Sequence, residues 1–173
     1  YTLVYTLSLH DALPISPGNL YATLVTAPDF PPAFRPAASL IAATALCRAL
    51  EELAATDLAL AVKWPNDVLL DGRKLAGLLL EAQGDAFLIG CGLNLRSPPP
   101  DVPEAATLAA QGVDATPADV LERWLRAWRD AADRLAAGDT SSWRDDWLAR
   151  AAGLHRPVRV TLAERRLEGV HRG

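Results

Sequence analysis

Between Ala59 and Asn94 four short apolar runs are separated by residues that turn the chain, and this pattern constrains the fold more than any other. Ala59-Leu60-Ala61-Val62 reads as a buried strand that stops at Pro65, which has no N–H to give to a ladder and turns the chain out at Asn66. Val68-Leu69-Leu70 and the run Leu75 to Leu80 are joined by Asp71-Gly72, a dipeptide suited to a two-residue hairpin. Strands are expected at 59–64, 67–70, 74–82 and 86–94, in a largely antiparallel or mixed sheet. Into this apolar fabric the sequence sets Lys63 at a strand end and Lys74 beside a turn, with Asp67 between them. Lysines inside apolar segments are costly unless something anionic meets them, so a nucleotide or a carboxylate is expected here.

Around this core the chain reads as strand, helix, strands, helices, strands, which favours an α+β fold over a doubly wound sheet. Asn19 to Thr26 alternates as a strand, 28–32 is a loop, and Pro36 suits the first turn of a helix running to about Ala54. That helix is apolar on most faces and should be central. Ser97-Pro98-Pro99-Pro100-Asp101-Val102-Pro103 is expected as an extended surface loop. Thr116 should cap the next helix with Pro117 at its first position. Its apolar stripe, Val120, Leu121, Trp124, Leu125, Trp128, Ala132 and Leu135, has helical period. A shorter helix carries Trp143, Trp147 and Leu148 and should end before Gly153. Val158 to Leu162 and Arg166 to Val170 read as two strands about a turn.

Composition narrows the function. A chain of 173 residues, half of them apolar, can bury a core, and a net charge of −4 leaves no general footprint for nucleic acid. Cys47 and Cys91 lack metal-ligand spacing and read as buried free thiols, in keeping with a reducing cytoplasm. The three histidines form no catalytic or zinc constellation. The most apolar helix is interrupted by Arg48, Glu51 and Glu52, so no membrane span and no membrane partner are expected.

Three motifs in order carry a resemblance: Lys63-Trp64-Pro65-Asn66-Asp67, then Arg73-Lys74-Leu75-Ala76-Gly77, then Gly90-Cys91-Gly92-Leu93-Asn94. Together they resemble the signature of the biotin protein ligases, and Ser16-Pro17-Gly18-Asn19-Leu20-Tyr21 is similar to the family strand before the long helix. Arg156-Pro157-Val158-Arg159-Val160 is similar to the start of that family's small C-terminal barrel. The resemblance implies a catalytic domain like that of class II aminoacyl-tRNA synthetases over 16–153 and the start of an SH3-like barrel over 154–173. It implies activation of biotin by ATP with Mg²⁺ to biotinyl-AMP, and transfer to a lysine of a biotin carboxyl carrier domain. A homodimer is compatible with it.

The same resemblance assigns roles. Lys74 would meet the biotin carboxylate and the α-phosphate, where a compact ammonium serves both groups. Lys63 would face the phosphates or the incoming carrier, and Asp67 would hold Mg²⁺ or orient the carrier lysine. Asn66, Gly77, Leu79, Gly90, Cys91 and Asn94 would line the substrate and nucleotide sites, with biotin's fused ring lying on the strand glycines. One difficulty stands out: strict alternation sends Lys74 and Gly77 to opposite faces, so both can touch one ligand only through a bulge or from the pocket rim.

The family also carries an arginine-bearing, glycine-rich loop just before the Ser-Pro-Gly-Asn-Leu-Tyr strand. Here that place is held by residues 1–15, which resemble a non-native leader, and impaired adenylation is expected in consequence. Two other readings compete with ligation of biotin. One is a lipoate or octanoate transferase of the same fold, a group that lacks the Lys-Trp-Pro-Asn-Asp block; the other is a non-catalytic module that binds biotinyl-AMP.

Overall fold

The computed structural model describes residues 16–27, 31–162 and 165–173, so the expected leader and part of the 28–32 loop lie outside the described residues. Strand β1 (Leu20–Thr26) leads through a 3₁₀ segment, Pro32–Ala37, into helix α1 (Ala38–Glu51). Four strands follow: β2 (Leu60–Lys63), β3 (Asp67–Leu70), β4 (Arg73–Gln83) and β5 (Ala86–Leu93). Helices α2 (Pro117–Ala136) and α3 (Ser142–Arg150) come next, then the hairpin β6 (Pro157–Leu162) and β7 (Arg165–Val170).

The first five strands make one antiparallel sheet in the order β1-β5-β4-β3-β2. Consecutive strands β2 to β5 sit side by side because each is joined to the next by a short turn. At the β3–β4 turn, Asp71 (φ 51°) and Gly72 (φ 74°) both take the left-handed conformation that a two-residue hairpin of this kind requires. Gln111 Nε2 donates to Asp71 Oδ2 at 2.9 Å and ties the hairpin tip to the loop before α2.

Helix α1 covers one face of the sheet, and α2 and α3 pack on α1 from the other side. Ten of its fourteen residues are buried, which is why it is apolar nearly all round. Trp124 of α2 is fully buried, and its Nε1 donates to Ala42 O at 3.0 Å, joining the two helices at their centre. The charged end of α1 is held by ion pairs: Arg48 with Asp146, Arg150 with Glu51 through two hydrogen bonds, and Arg126 with Glu52. Ala33–Glu51, 19 residues long with an 18-residue stretch of mean hydropathy 1.2, reaches the length and apolarity of a bilayer-crossing segment by composition alone, as buried core helices do. It fills the core of the fold, with Arg48 paired at its end.

Helix α2 starts as expected. Thr116 accepts from Asp119 N through its hydroxyl while Asp119 accepts from Thr116 N, a reciprocal capping box. Helix α1 ends at Glu51, short of the expected Ala54, because Leu53 and Ala54 continue only as a turn. After α3 the chain returns to the free edge of β2, where Ala152 N donates to Val62 O at 2.9 Å. The β6–β7 hairpin is a separate two-stranded sheet. His155 and His171 hold its base, His155 N donating to His171 O at 2.8 Å, and the His171 ring lies 5.9 Å from that of Trp147.

Candidate functional site on the open face of the sheet

Alternation along the strands divides the sheet between the face that packs on α1 and the opposite face, which no helix covers among the described residues. In β5, Phe87, Ile89, Cys91 and Leu93 are buried towards α1, which turns Gly90 and Gly92 outwards. In β4 the buried residues are Leu75, Ala76 and Leu78, and two consecutive buried positions mark a break in the alternation. The pairing shows its cause. Val68 faces Ala76 but Leu69 faces Lys74, so Leu75 is an extra residue, a β-bulge.

The bulge resolves the difficulty posed by strict alternation: it returns Lys74 to the same face as Gly77. A row then runs straight across all five strands, Tyr21 opposite Gly92, Gly92 opposite Gly77, Gly77 opposite Asp67, and Asp67 opposite Lys63. A second row beside it holds Thr23, Gly90 and Leu79. Leu79 is 62 % exposed, unusual for a leucine in mid-strand, and Trp64, in the turn after β2, is 49 % exposed.

Lys74 folds back along this face. Its Nζ lies 2.6 Å from Asp67 Oδ1, and the stem passes over Gly77, where a Cβ would stand 3.2 Å from both Cε and Nζ. The missing side chain at Gly77 is therefore what lets the ammonium lie flat on the sheet. Above Gly90 and Gly92 the spacing is looser. A Cβ on Gly90 would lie 3.7 Å from Leu79 Cβ, and one on Gly92 would lie 3.8 Å from the Tyr21 ring, ordinary contacts that leave the surface open to a flat ligand. Lys63 is exposed and, among the described residues, makes no ion pair although it sits opposite Asp67.

The two asparagines stand at the rims, and both spend their amide nitrogens on the scaffold. Asn66 Nδ2 donates to Leu78 O at 2.6 Å and Leu78 N to Asn66 O at 2.8 Å, so Asn66 locks the β2–β3 turn onto β4. Ser39 Oγ adds a bond to Pro65 O at 3.0 Å, from the first turn of α1. Asn94 Nδ2 donates to Ala106 O at 3.2 Å, and Ala106 N in turn donates to Lys74 O at 2.9 Å. The segment around Ala106 thus braces the backbone of Lys74. Nothing in the local sequence around Asn94 signals that brace, because its partner lies twelve residues on in an irregular loop.

Cys91 needs a correction. As a substrate-lining side chain it is on the wrong face: the thiol points into the core, where burial pushes it up to about 12, and only its backbone borders the open face. Cys47 is likewise buried, and burial raises its thiol to about 12. Among the described residues no group of three or more His, Cys, Asp or Glu could hold a metal by itself. The clefts among α1, α2 and α3 are lined by helix residues such as Arg48, Asp130 and Trp143 and contain none of the motif residues.

The model of the biotin/lipoate A/B protein ligase family matches residues 12–94, the segment that contains the whole row. A biotin–[acetyl-CoA-carboxylase] ligase of Paracoccus denitrificans is 32% identical over 168 residues, covering 90% of this chain and 70% of that protein. The chain belongs to the biotin/lipoate A/B protein ligase family. Within the family, the biotin–[acetyl-CoA-carboxylase] ligase of Mycobacterium tuberculosis is 38% identical over 110 residues, covering 58% of this chain and 38% of that protein. The biotin protein ligase of Aquifex aeolicus, solved with biotin and ATP, superposes with a TM-score of 0.74 at 25% identity, covering 88% of this chain and 66% of that one. A biotin protein ligase-like protein of unknown function from Silicibacter superposes at 0.75 with 25% identity, covering 90% and 70%. The α+β architecture is thus the one found in solved biotin protein ligases. The chain spans about half the length of the bifunctional ligase/repressor of Escherichia coli, 28% identical to it.

Proposed function

We propose that this chain activates biotin with ATP to biotinyl-AMP and passes the biotinyl group to a lysine of a biotin carboxyl carrier domain. The observation that carries the reading is the Lys74 ammonium lying over Gly77 in a row of strand glycines, on the face of the sheet that no helix covers among the described residues. Biotin's fused ring fits the bare strip of Gly90, Gly92 and Gly77, with Leu79 as apolar contact, and its carboxylate then reaches Lys74. A single ammonium can neutralise both the attacking carboxylate and the charge that builds on the α-phosphoryl oxygens. Lys63, exposed at the end of the row, would meet the remaining phosphates or the carrier. Asn66 and Asn94 act mainly by fixing the backbone on either side.

The donor set fits Mg²⁺ held largely by the nucleotide, since among the described residues no cluster of three or more ligating side chains could hold the ion, Asp67 lies in the row, and this ion is commonly bound by one or two carboxylates plus substrate phosphates. Bound there, it would screen phosphate charge and help align the α-phosphorus. The catalytic domain reading covers 16–153, with 154–173 as the first hairpin of a C-terminal barrel. Two buried, unpaired thiols suit a reducing cytoplasm.

The test is biotin-dependent pyrophosphate release from ATP, followed by single-turnover transfer to a carrier domain. Incorporation of biotin into the carrier lysine is expected, with lipoate a poor substitute. Equal use of lipoate would favour the acyl-transferase alternative, and biotin binding without pyrophosphate release would make the chain a binding module.

A further inference from the structure

The Lys74 ammonium already has a carboxylate partner, and it is the protein's own. We propose that Asp67 is a resident competitor for the Lys74 ammonium, occupying the place of the substrate carboxylate until the substrate displaces it. The inference rests on the reading of Lys74 as the partner of biotin's carboxylate.

Three observations converge on it. The Asp67 side chain is mostly covered, 20 % exposed, while that of Lys74 is 53 % exposed, so the aspartate is fixed in the sheet and the lysine is free to leave it. Asp67 is the only acid in ion-pairing distance of Lys74 among the described residues, and Lys63, although directly across the ladder, does not take the lysine's place. The geometry that brings the two together is built in: the Leu75 bulge turns Lys74 to this face, and Gly77 leaves the space that its stem crosses.

An incoming carboxylate therefore meets an ammonium that is already neutralised. It must either displace Asp67 or share one cation with a second negative charge a few ångströms away, and like charges at that range disfavour one another. Whatever takes up the Asp67 charge, a cation or a change of side chain, should release Lys74 and strengthen binding of the acid. The pair acts as a latch that neutralises the Lys74 ammonium until a substrate carboxylate takes the place of Asp67.

The opposite role, Asp67 holding Lys74 where biotin needs it, predicts the opposite sign. Calorimetry of biotin and of biotin methyl ester on the parent chain and on Asp67→Asn separates them, with Asp67→Ser as a second variant and circular dichroism to establish that each is folded. The expected result is biotin binding tightened roughly two- to fivefold in both variants, the range for releasing a partly exposed ion pair, and no change for the ester, which has no carboxylate. Unchanged or weakened biotin binding, or an equal gain for the ester, overturns the latch while leaving biotin as the ligand. Absence of biotin binding by all three chains overturns the functional reading and the latch with it.

Discussion

Asn19 grips Ser97 in both directions: its Nδ2 donates to Ser97 O at 2.8 Å, and its Oδ1 accepts from Ser97 N at 3.3 Å and from Arg96 N at 2.9 Å. The residue before β1 is thereby fastened to the loop that follows β5, seventy-eight positions away, and is itself nearly buried. Gly18, at φ 85°, makes the approach possible, since a Cβ there would stand 2.8 Å from Arg96 Cγ. Gly18 and Asn19 of the Ser-Pro-Gly-Asn motif thus form a clasp onto Arg96 and Ser97. Asn19→Ala leaves two backbone donors unmet and should cost about 1–3 kcal/mol, read as a lower urea midpoint at constant slope. Asn19→Asp keeps the acceptor and should lose less.

The strand glycines should respond differently to one added methyl. At Gly77 the methyl presses on the flexible end of Lys74, which can shift, so Gly77→Ala should change stability by less than about 1 kcal/mol and yet lower the rate of biotin activation about tenfold or more by moving the ammonium. At Gly90 the methyl meets only ordinary contacts, so Gly90→Ala should be neutral or slightly stabilising in the empty protein and weaken biotin binding by occupying its surface. Thermal melts and biotin titrations on the two variants check both halves of this contrast.

Lys74 should matter most for the chemical step. Lys74→Ala is expected to slow biotinyl-AMP formation by roughly 10²-fold or more, the usual effect of removing one preorganised donor to a developing oxyanion. Lys74→Arg should not restore it, because a planar fork cannot take the ammonium's position over Gly77. Lys63→Ala should disturb ATP use or transfer with less effect on biotin affinity. Pyrophosphate release, with biotin affinity measured separately, distinguishes these; a rate within a fewfold of the parent for Lys74→Ala would remove Lys74 from the chemistry.

What could be read from the sequence was what local chemistry dictates. Asp71-Gly72 specified its hairpin because few dipeptides accept two positive φ values in succession, and Thr116-Pro117 specified a helix start because both the cap and the proline favour it. The alternation of Phe87 to Leu93 puts Gly90 and Gly92 together on one face and Cys91 on the other, yet reading the Gly-Cys-Gly-Leu-Asn motif as a whole places Cys91 among the lining residues. The bulge at Leu75 was not legible, since it is fixed by how β4 registers on β3 and no residue in Arg73 to Gly77 announces it. Without the bulge the pairing of Lys74 with Asp67 over Gly77 could not be derived, and so the centre of the site depended on tertiary structure. The same holds for Asn66 and Asn94, whose partners Leu78 and Ala106 lie in other segments.

The two thiols give a prediction that is independent of any ligand. Burial raises both Cys47 and Cys91 to about 12 from an ordinary value of 9.0, so in the folded chain both stay protonated well into the alkaline range. The folded state then holds protons that the unfolded chain releases. Their contribution to stability is fully present below pH 9 and is lost as pH rises from there towards 12, at roughly 1.4 kcal/mol per pH unit for each thiol. At pH 8 neither thiol should react with a disulfide reagent until denaturant unfolds the chain. Cys91→Ala should roughly halve this thiol-linked alkaline slope, at the cost of a small cavity in the core that lowers stability equally at pH 7 and pH 10. Urea denaturation of parent and variant between pH 7 and pH 10.5 measures the two effects separately, and rapid labelling of either cysteine in the native protein would show that its burial is not maintained in solution.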